Sequence, residues 1–314
     1  MPNELEIVQH PRISDVNMFI VAMEYRTPHL HRDFEINLIL EGHLNLLSNN
    51  ERYAGRPGDL FILNPNQSHE LFTMGDIGAT LLCLQISPRF FKGAFPNMED
   101  IFFEQTKIEG WDTKDWLREC LGGFLTSGIA YMDHRPHYQL FCAAKFHELL
   151  YSLLENVPYH FLSAAEQQAI RRKVERIIRL LEFVDANYMH KINLRDFADA
   201  EGLSLNHMSY FVKENLNQTF QEYVTTVRYN QARKLLLTEN KRLIDICLEA
   251  GFSDPRYLTK AFMEKAGTRP EEYRHKYASR EDESSFHRSL HSSQKYYTDE
   301  EGVRILKYIE AYPI

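Results

Sequence analysis

The feature that most constrains this chain is an internal duplication in its second half. A pattern that begins at Leu194 recurs 49 residues later, and after one inserted residue the match continues at a separation of 50. The matched pairs are Leu194 and Leu243, Asp196 and Asp245, Gly202 and Gly251, Ser204 and Ser253, Met208 and Leu258, Val212 and Phe262, Phe220 and Pro270, and Tyr223 and Tyr273. A fixed separation of this kind indicates that one supersecondary unit occurs twice.

Each copy is typical of a helix-turn-helix unit. A short amphipathic helix ends at Gly202 or Gly251, and glycine adopts the positive φ that a tight turn between crossing helices needs. Ser204 and Ser253 follow at positions where a hydroxyl can accept the free N–H groups of the next helix. We therefore expect two crossing helix pairs.

The second helix of each unit has a polar face. In the first unit, near residues 194–215, Leu205, Met208 and Val212 form an apolar stripe, which leaves polar side chains on the opposite side. The second unit, near residues 243–266, repeats the pattern. Any surface helix pair has a solvated face, but two phased copies favour recognition helices in DNA major grooves. The predicted DNA-contacting residues are Asn206, Ser209, Tyr210, Lys213, Arg256, Thr259 and Lys260.

A continuous helix is expected between the two units. Residues 219–237 lack Gly and Pro and keep an apolar stripe, so they span about 28 Å at about 1.5 Å per residue. This length is comparable with the roughly 34 Å between successive major-groove faces. One chain can therefore reach two adjacent grooves.

The net charge of −8 at pH 7 argues against a nucleic-acid partner until it is divided along the chain. Residues 1–165 sum to −9, residues 166–280 to +4 and residues 281–314 to −3. The basic excess therefore falls on the duplicated segment, where it permits DNA binding without establishing it.

The second unit closely resembles the signature of the AraC/XylS transcription regulators. The run RLIDICLEAGFSDPRYLTKAFMEKAGTRPEEYR resembles that family's A-x-x-x-GF turn, recognition helix and G-x-x-P-x-x-YR ending. With the first unit and a helix near residues 170–188, the resemblance covers about 110 residues. It implies base contacts from both recognition helices and RNA polymerase as a partner of an activator. Tyr210 stands where many members have a basic residue, so we expect the first unit to depend more on shape or stacking.

The first half is typical of a small β-barrel. Short alternating segments separated by turn signals run over residues 25–70, a pattern of strands and tight turns. His29, His31 and Glu35 have the same parity, so one extended strand would place them on one sheet face, and His69 follows the next turn. The spacing H-x-H-x-x-x-E with a later His resembles the cupin fold, the usual N-terminal domain of this regulator family.

Two chemistries fit these four side chains. Imidazole and carboxylate groups orient a small polar effector, such as a sugar, by hydrogen bonds, and they are also ligands for a divalent metal. The family resemblance implies effector recognition without catalysis, and the segment PNQSH is one residue shorter than the P-x-G-x-x-H of metal-binding cupins. We therefore expect an effector pocket without a cofactor in a protein that is not an enzyme. A metal-dependent cupin enzyme fused to a DNA-binding module is the alternative.

Residues 116–125 and 137–156 have helical apolar spacing after the barrel. A helix face that includes Leu140 and Tyr151 can pack on the barrel or on a second subunit. The family usually dimerises through this domain, so the resemblance implies a homodimer. Residues near 156–168 are the expected linker.

The chain continues beyond the usual end of the family near Tyr277. The segment that follows is rich in Ser, His and charge, which favours mobility. Thr298 and Glu301 form a capping-box pattern before Val303 and Leu306, which predicts a closing helix.

Other function classes find little support in the sequence. No apolar run reaches the roughly 18 residues of a membrane span, and the N-terminus lacks the pattern of a signal peptide. Zinc or redox chemistry and DNA alkyl-damage repair are not expected, because the cysteines lack C-x-x-C spacing and basic neighbours. We therefore expect the four cysteines, Cys83, Cys120, Cys142 and Cys247, to be reduced residues that pack in the core.

The sequence thus predicts a multidomain protein of α and β structure. Residues 1–165 are expected to form a cupin-like barrel with flanking helices that binds effector and dimerises. Residues 166–278 are expected to form an all-α DNA-binding domain, and residues 279–314 a partly mobile extension. We expect a cytoplasmic regulator whose partners are double-stranded DNA, a small-molecule effector, RNA polymerase and a second copy of the chain.

Overall fold

The computed structural model of the chain describes residues 6, 8–49, 51–73, 78–110, 112–216, 218–277, 287–288 and 292–311. The strands β1 to β12 are Val16–His29, Phe34–Glu41, Leu44–Ser48, Glu51–Gly55, Leu60–Leu63, His69–Phe72, Ala79–Ile86, Ile101–Phe103, Lys107–Ile108, Tyr159–Phe161, His287–Arg288 and Ser292–Tyr296. The helices α1 to α10 are Asp115–Asp133, Tyr138–Asn156, Ala164–Asn187, Leu194–Ala200, Leu205–Leu216, Phe220–Thr238, Leu243–Glu249, Pro255–Ala266, Pro270–Tyr277 and Asp299–Ala311. Strands therefore dominate the first half and helices the second.

The N-terminal strands form a near-closed antiparallel barrel, as the sequence predicted. Their order is β4, β3, β6, β1, β7, β2, β5, β9. The long strand β1 changes partner along its length, because residues 16–23 pair with β7 and the register is irregular where β6 takes over nearer His29. This change of partner lets one sheet fold over onto itself.

Both faces of the barrel strands are buried, in two separate cores. On β2, Ile39 packs inside the barrel, whereas Ile36 and Leu38 pack outside it. The outer core also includes residues of α1, α2 and α10, such as Phe124 and Phe146. Burial on both faces means that Glu35 and Asn37, the polar residues between the apolar ones on β2, are also buried.

The second half forms two small helical cores joined by α6. Val224 and Val227 of α6 pack with α3, α4 and α5, whereas Ala232 and Leu235 pack with α7 and α8. The predicted long helix is confirmed, since α6 contains 19 residues. It begins with a capping box between Thr219 and Glu222, an arrangement that satisfies free N–H groups at a helix start.

Two details of the duplicated units differ from expectation. Ser204 accepts the backbone N–H of His207 as predicted, but in the second unit Asp254, not Ser253, caps α8. The carboxylate lies one residue closer to the helix, directly before Pro255 at its first position. Leu205 is also 36% exposed, because it lies in the first turn of α5, ahead of the buried stripe.

The C-terminal extension returns to the barrel. Strand β12 pairs with β1, from Val21↔Tyr296 to Arg26↔Ser292, so this part of the expected mobile segment is an ordered strand. The predicted closing helix is present as α10, with its Thr298 and Glu301 capping box and Leu306 in the outer core. Residues 278–286 and 289–291, where mobility was also expected, lie outside the described residues.

The barrel and the helical half contact each other at several points, two of which are central. The Arg233 guanidinium of α6 donates to the carboxylate of Glu24 on β1 and to the Ser293 hydroxyl on β12, and it lies 4.8 Å from the ring centroid of Tyr25. Leu30, in the bend after β1, is fully buried in the same apolar cluster as α3 and the first unit. The barrel is therefore in direct contact with the helices that follow it.

The two turn glycines allow a matched test of the duplicated unit. Both have positive φ, +66° at Gly202 and +84° at Gly251. A Cβ at Gly202 would meet no described atom within 4 Å, whereas at Gly251 it would lie 2.6 Å from the carbonyl oxygen of Tyr188. We expect Gly202→Ala to lower the free energy of unfolding by about 1 kcal/mol and Gly251→Ala by about 2–4 kcal/mol. Urea unfolding measures both, and equal losses would contradict the packing difference.

A second prediction concerns the buried guanidinium. Glu24→Gln leaves the positive charge of Arg233 without its carboxylate, and the side chain of Arg233 is only 9% exposed. We expect a loss of about 2 kcal/mol, below the value for a fully buried pair because Glu24 is 23% exposed. The double variant Glu24→Gln with Arg233→Met removes the unpaired charge and should regain part of the loss. A double variant less stable than the single one in urea unfolding would refute this account.

Candidate functional site

The predicted recognition faces lie on α5 and α8. The side chains of Arg256 and Lys260 are 87% and 71% exposed, and Tyr210 is 69% exposed. Asn206, Ser209 and Lys213 are also exposed, whereas Thr259 is half-buried. Opposite them, Met208 and Leu258 are fully buried. The structure thus leaves six of the seven predicted side chains accessible and one partly so.

Arg256 is held at the start of α8 by the helix cap. Asp254 accepts the backbone N–H of Arg256 at 2.8 Å and its guanidinium N–H at 3.0 Å. The same contact holds the pKa of Asp254 below its usual value. The cap therefore orients the guanidinium at the exposed end of the helix.

The sequence analysis missed an aromatic residue on this surface. Tyr257 is 60% exposed and adjoins Arg256. It corresponds to His207 in the first unit, which is also exposed. The prediction began from Asn206 and Tyr210 and did not include their neighbours. Whether a neighbouring side chain is exposed depends on the residue at which each helix begins, which the periodicity does not determine.

The four polar residues predicted for the barrel come together inside it. His29, His31, His69 and Glu35 are each at most 3% exposed. The expectation of one strand carrying three of them is wrong, because β1 ends at His29 and β2 begins at Phe34. A bend at residues 32–33 separates the two strands, so the side chains converge from β1, the bend, β2 and β6.

Each of the three histidine rings is fixed by a hydrogen bond to a backbone carbonyl two residues away. The Nδ1 atoms lie 3.0 Å from the carbonyl oxygen of Thr27, 2.9 Å from that of Asp33 and 2.9 Å from that of Gln67. A carbonyl only accepts, so each Nδ1 carries the proton and donates it. The Nε2 atoms are therefore the ones directed at the shared space.

Glu35 lies at the centre of a hydrogen-bond network. It accepts from His31 Nε2 at 2.9 Å, Asn37 Nδ2 at 2.7 Å and Gln85 Nε2 at 3.0 Å. Burial alone would raise the pKa of Glu35, but the hydrogen bond with His31 and the nearby ring of His69 hold that pKa well below its usual value. Burial conversely lowers the pKa of His29 well below its usual value. At His31 burial is outweighed by the hydrogen bond to Glu35, which raises the pKa of that imidazole. The site therefore contains a carboxylate paired with His31 and a neutral imidazole at His29.

The geometry can hold a metal ion. One nitrogen from each of His29, His31 and His69 lies within 4.8 Å of the others, and Glu35 Oε1 lies 3.7 Å from His69 Nε2. Among the described residues, His69 Nε2 is a buried atom with no hydrogen-bond partner. These residues are the ones that could hold a cofactor in the barrel.

The space beside the cluster is small and is bordered by the C-terminal strand. The cavity measures about 20 Å³ and is lined by Gln294 and Tyr296 of β12 as well as by His29 and Glu35. A single water needs about 10–15 Å³, so the cavity has room for one water or ion. Sequence reasoning missed β12 here, because a pairing between residues 21 and 296 leaves no local signal.

A second cavity and the four cysteines complete the description of the candidate sites. A larger cavity of about 150 Å³ lies between the barrel and α3, lined by residues such as Asp100, Gln167 and Arg171. The four cysteines are all buried, and burial raises the pKa of each thiol. The interpretation of the cysteines as packing residues is therefore confirmed, and none of them is an activated nucleophile.

Comparison with known proteins agrees with this architecture. The chain matches a family model described as an AraC-like ligand binding domain over residues 21–150, and one described as a helix-turn-helix domain over residues 197–276. Together the two models match more than half of the chain. Among the described residues, no helix has the length and apolar character of a membrane span.

Individual relatives are named as regulators. The uncharacterized HTH-type transcriptional regulator YbfI of Bacillus subtilis is 24% identical over 234 residues, covering 73% of this chain and 80% of its own. The melibiose operon regulatory protein of Escherichia coli is 22% identical over 267 residues, covering 81% of this chain and 87% of its own. A crystal structure of ToxT from Vibrio cholerae is 14% identical with a TM-score of 0.40, covering 85% of this chain and 99% of its own.

The two matched domains occur in the order that the structure shows, a barrel followed by two helix-turn-helix units. The duplicated unit, the barrel and the two family models agree on one assignment. The chain belongs to the AraC/XylS family of transcription regulators, with an N-terminal ligand-binding domain and a C-terminal helix-turn-helix DNA-binding domain.

Proposed function

We propose that this regulator acts in the cytoplasm and reads two adjacent major grooves with the exposed faces of α5 and α8. The observation that carries the proposal is that one helix, α6, packs on both units through opposite ends. Its 19 residues span about 28 Å, which suits successive groove faces. The two units then bind DNA as one body.

The two recognition helices are unequal readers. The second unit has exposed cations at Arg256 and Lys260, groups that bind guanine edges and phosphates. The first has Asn206, Ser209 and Tyr210, which hydrogen-bond or stack but carry no charge. We therefore propose an unsymmetrical half-site for each chain, with Lys213 and Thr259 as flanking contacts.

We propose that the barrel binds a small polar effector such as a sugar and does not act as an enzyme. The buried His and Glu side chains supply hydrogen bonds of the required kind, and the Escherichia coli relative is named for the operon of a sugar, melibiose. The cavity of about 20 Å³ is too small for a sugar. Entry would therefore displace β12, whose Gln294 and Tyr296 line it.

Displacement of β12 gives a route to the DNA-binding half. Ser293 of β12 accepts from Arg233 of α6, and α6 supports both recognition units. A ligand that moves β12 breaks this contact and changes how α6 sits against Glu24. We propose that this contact links effector binding to DNA affinity. We also propose RNA polymerase as a partner, and run-off transcription with purified polymerase would test this.

The DNA contacts are tested by a mobility shift with the upstream region of the protein's own gene. The double variant Arg256→Ala with Lys260→Ala should lose at least about tenfold in affinity, since each good base contact contributes about 1–3 kcal/mol. It should also show a shallower dependence on salt, because fewer phosphates are neutralised. Adding the candidate sugar to the wild type should change the midpoint of the shift.

The matched control is Arg118→Ala on α1. Arg118 is also exposed and is paired with an aspartate, Asp115, at 2.9 Å, but it lies on the barrel side of the chain. Its variant should bind DNA like the wild type. Unchanged binding by the Arg256 and Lys260 double variant would count against the proposed reading of DNA, and an absence of any sugar effect would count against a sugar effector.

We propose that the chain dimerises through α2. Leu140 and Tyr151 are 74% and 65% exposed on its outer face, whereas Cys142, Phe146 and Leu153 turn into the outer core. An exposed apolar helix face is suited to a self-complementary contact. The core role that the sequence left open for Leu140 and Tyr151 does not agree with this exposure.

Leu140→Glu combined with Tyr151→Glu tests the dimer by sedimentation velocity. The wild type should sediment as a dimer and the double variant as a monomer, because the charges would be buried without partners. Leu248→Glu on α7 is the control, since Leu248 is 58% exposed but lies in the DNA-binding half. A monomeric wild type, or a dimeric double variant, would rule out this interface.

A further inference from the structure

A carboxylate from the start of the chain forms one side of the barrel cavity. Glu6 lines this cavity together with Arg26, His29 and Gln85. Arg26 Nη2 donates to Glu6 Oε2 at 2.7 Å, and Gln85 Nε2 donates to Glu6 Oε1 at 3.4 Å. The protein itself therefore supplies a negatively charged group to the polar end of its own pocket.

Glu6 satisfies Arg26 only in part. The side chain of Arg26 is 17% exposed and that of Glu6 is 23% exposed, so the ion pair is largely buried. Within the described residues, Arg26 Nε is a buried donor without a hydrogen-bond partner. A guanidinium binds a well-placed carboxylate through two parallel N–H groups. Arg26 can therefore bind a freely positioned carboxylate better than it binds Glu6.

The other partner of the Glu6 carboxylate is also poorly matched. Glu6 Oε2 lies 3.8 Å from His29 Nε2. Because Nδ1 of His29 donates to the carbonyl of Thr27, Nε2 of the neutral ring carries a lone pair and accepts a hydrogen bond. Two acceptors thus face each other. A hydroxyl group at this position would donate to His29, so a ligand with both a carboxylate and a hydroxyl suits the site.

Charge decides which ligands can replace Glu6. The Gln294 and Tyr296 side chains of β12 are uncharged and also line the cavity, so their displacement leaves the ion pair of Arg26 intact. A neutral ligand that displaced Glu6 would leave a largely buried guanidinium without a counter-charge, which is strongly unfavourable. A carboxylate restores that charge.

The backbone of Glu6 is bound separately from its side chain. Its N–H donates to the carbonyl oxygen of Leu30 at 3.0 Å. Rotation of the Glu6 side chain therefore frees Arg26 without breaking this backbone contact.

We propose that the effector of the barrel is a small hydroxylated carboxylate, such as a sugar acid, whose carboxylate replaces that of Glu6 on Arg26. Arg26 binds it through Nε and Nη2, Gln85 donates to it, and His29 accepts from an adjacent hydroxyl. The inference rests on the proposed function for the assignment of the barrel as the effector-binding domain, and it names the chemical class of the effector.

The experiment removes the competing carboxylate and supplies a free one. The full chain carrying Glu6→Ala is titrated with glycolate, a small carboxylate with an adjacent hydroxyl, by calorimetry and thermal unfolding. Glycolate should raise the Tm of this variant and bind it at least about 10-fold more tightly than the wild type, in which Glu6 competes. Glycolamide, which has a similar size but no charge, should do neither at the same ionic strength. Adding Arg26→Met to Glu6→Ala should abolish the binding of glycolate.

The matched control is Glu109→Ala, which removes another barrel-side carboxylate, one that is 61% exposed and paired with Lys107 at 2.6 Å. Its response to glycolate should equal that of the wild type. Circular dichroism checks the fold of each variant, and Glu6→Gln, which keeps the size of the side chain, replaces Glu6→Ala if the latter does not fold. Equal stabilisation of the Glu6 variant by glycolate and glycolamide, or glycolate binding that survives Arg26→Met, overturns the inference.

A mobility shift with the wild type separates this inference from the proposed sugar effector. D-glucuronate and D-galacturonate are compared with D-glucose and D-galactose, the matching sugars without the carboxylate. A uronate that changes the midpoint of the shift at a lower concentration than its neutral sugar supports the inference. A neutral sugar that changes the midpoint, together with no glycolate binding by the Glu6 variant, overturns this inference and leaves the proposed function in place.

Discussion

The bend between β1 and β2 is the point on which the two halves of the molecule depend. Leu30 is buried in the core of the first helix-turn-helix unit, while His29 and His31 on either side of it turn into the barrel. Alternation along an extended backbone sends neighbouring side chains in opposite directions. Three consecutive residues thus belong to two different cores, and a ligand that orders the bend acts on both.

The second junction depends on charge rather than on apolar packing. Arg233 is buried between Glu24 of β1 and Ser293 of β12, beside the ring of Tyr25. A buried guanidinium is tolerated only while its partners remain in place, so this junction is sensitive to movement of either strand. Because β12 also lines the barrel cavity through Gln294 and Tyr296, the strand beside the pocket contacts, through Ser293, the helix that packs on both DNA-reading units.

Much of the helical half could be predicted from local sequence. Short-range periodicity and turn chemistry predict the turn glycines at 202 and 251, the polar faces of α5 and α8 and the unbroken helix α6. The duplication shows the same turn and face pattern twice. The structure differs from the prediction by single positions, such as the N-cap of α8, which is Asp254 and not Ser253. The N-cap depends on the residue at which the helix begins, and periodicity does not determine a helix start to within one residue.

The sequence alone determined that this chain has two phased helix-turn-helix units and a polar cluster of His29, His31, Glu35 and His69 in a strand-rich half. Tertiary structure decided how that cluster is assembled: from three strands and a bend, with each Nδ1 hydrogen-bonded to a backbone carbonyl and every Nε2 directed into the barrel. It also decided that the C-terminal strand lines the cavity. Both depend on contacts between residues far apart in the chain, such as Val21 with Tyr296, which local periodicity does not encode.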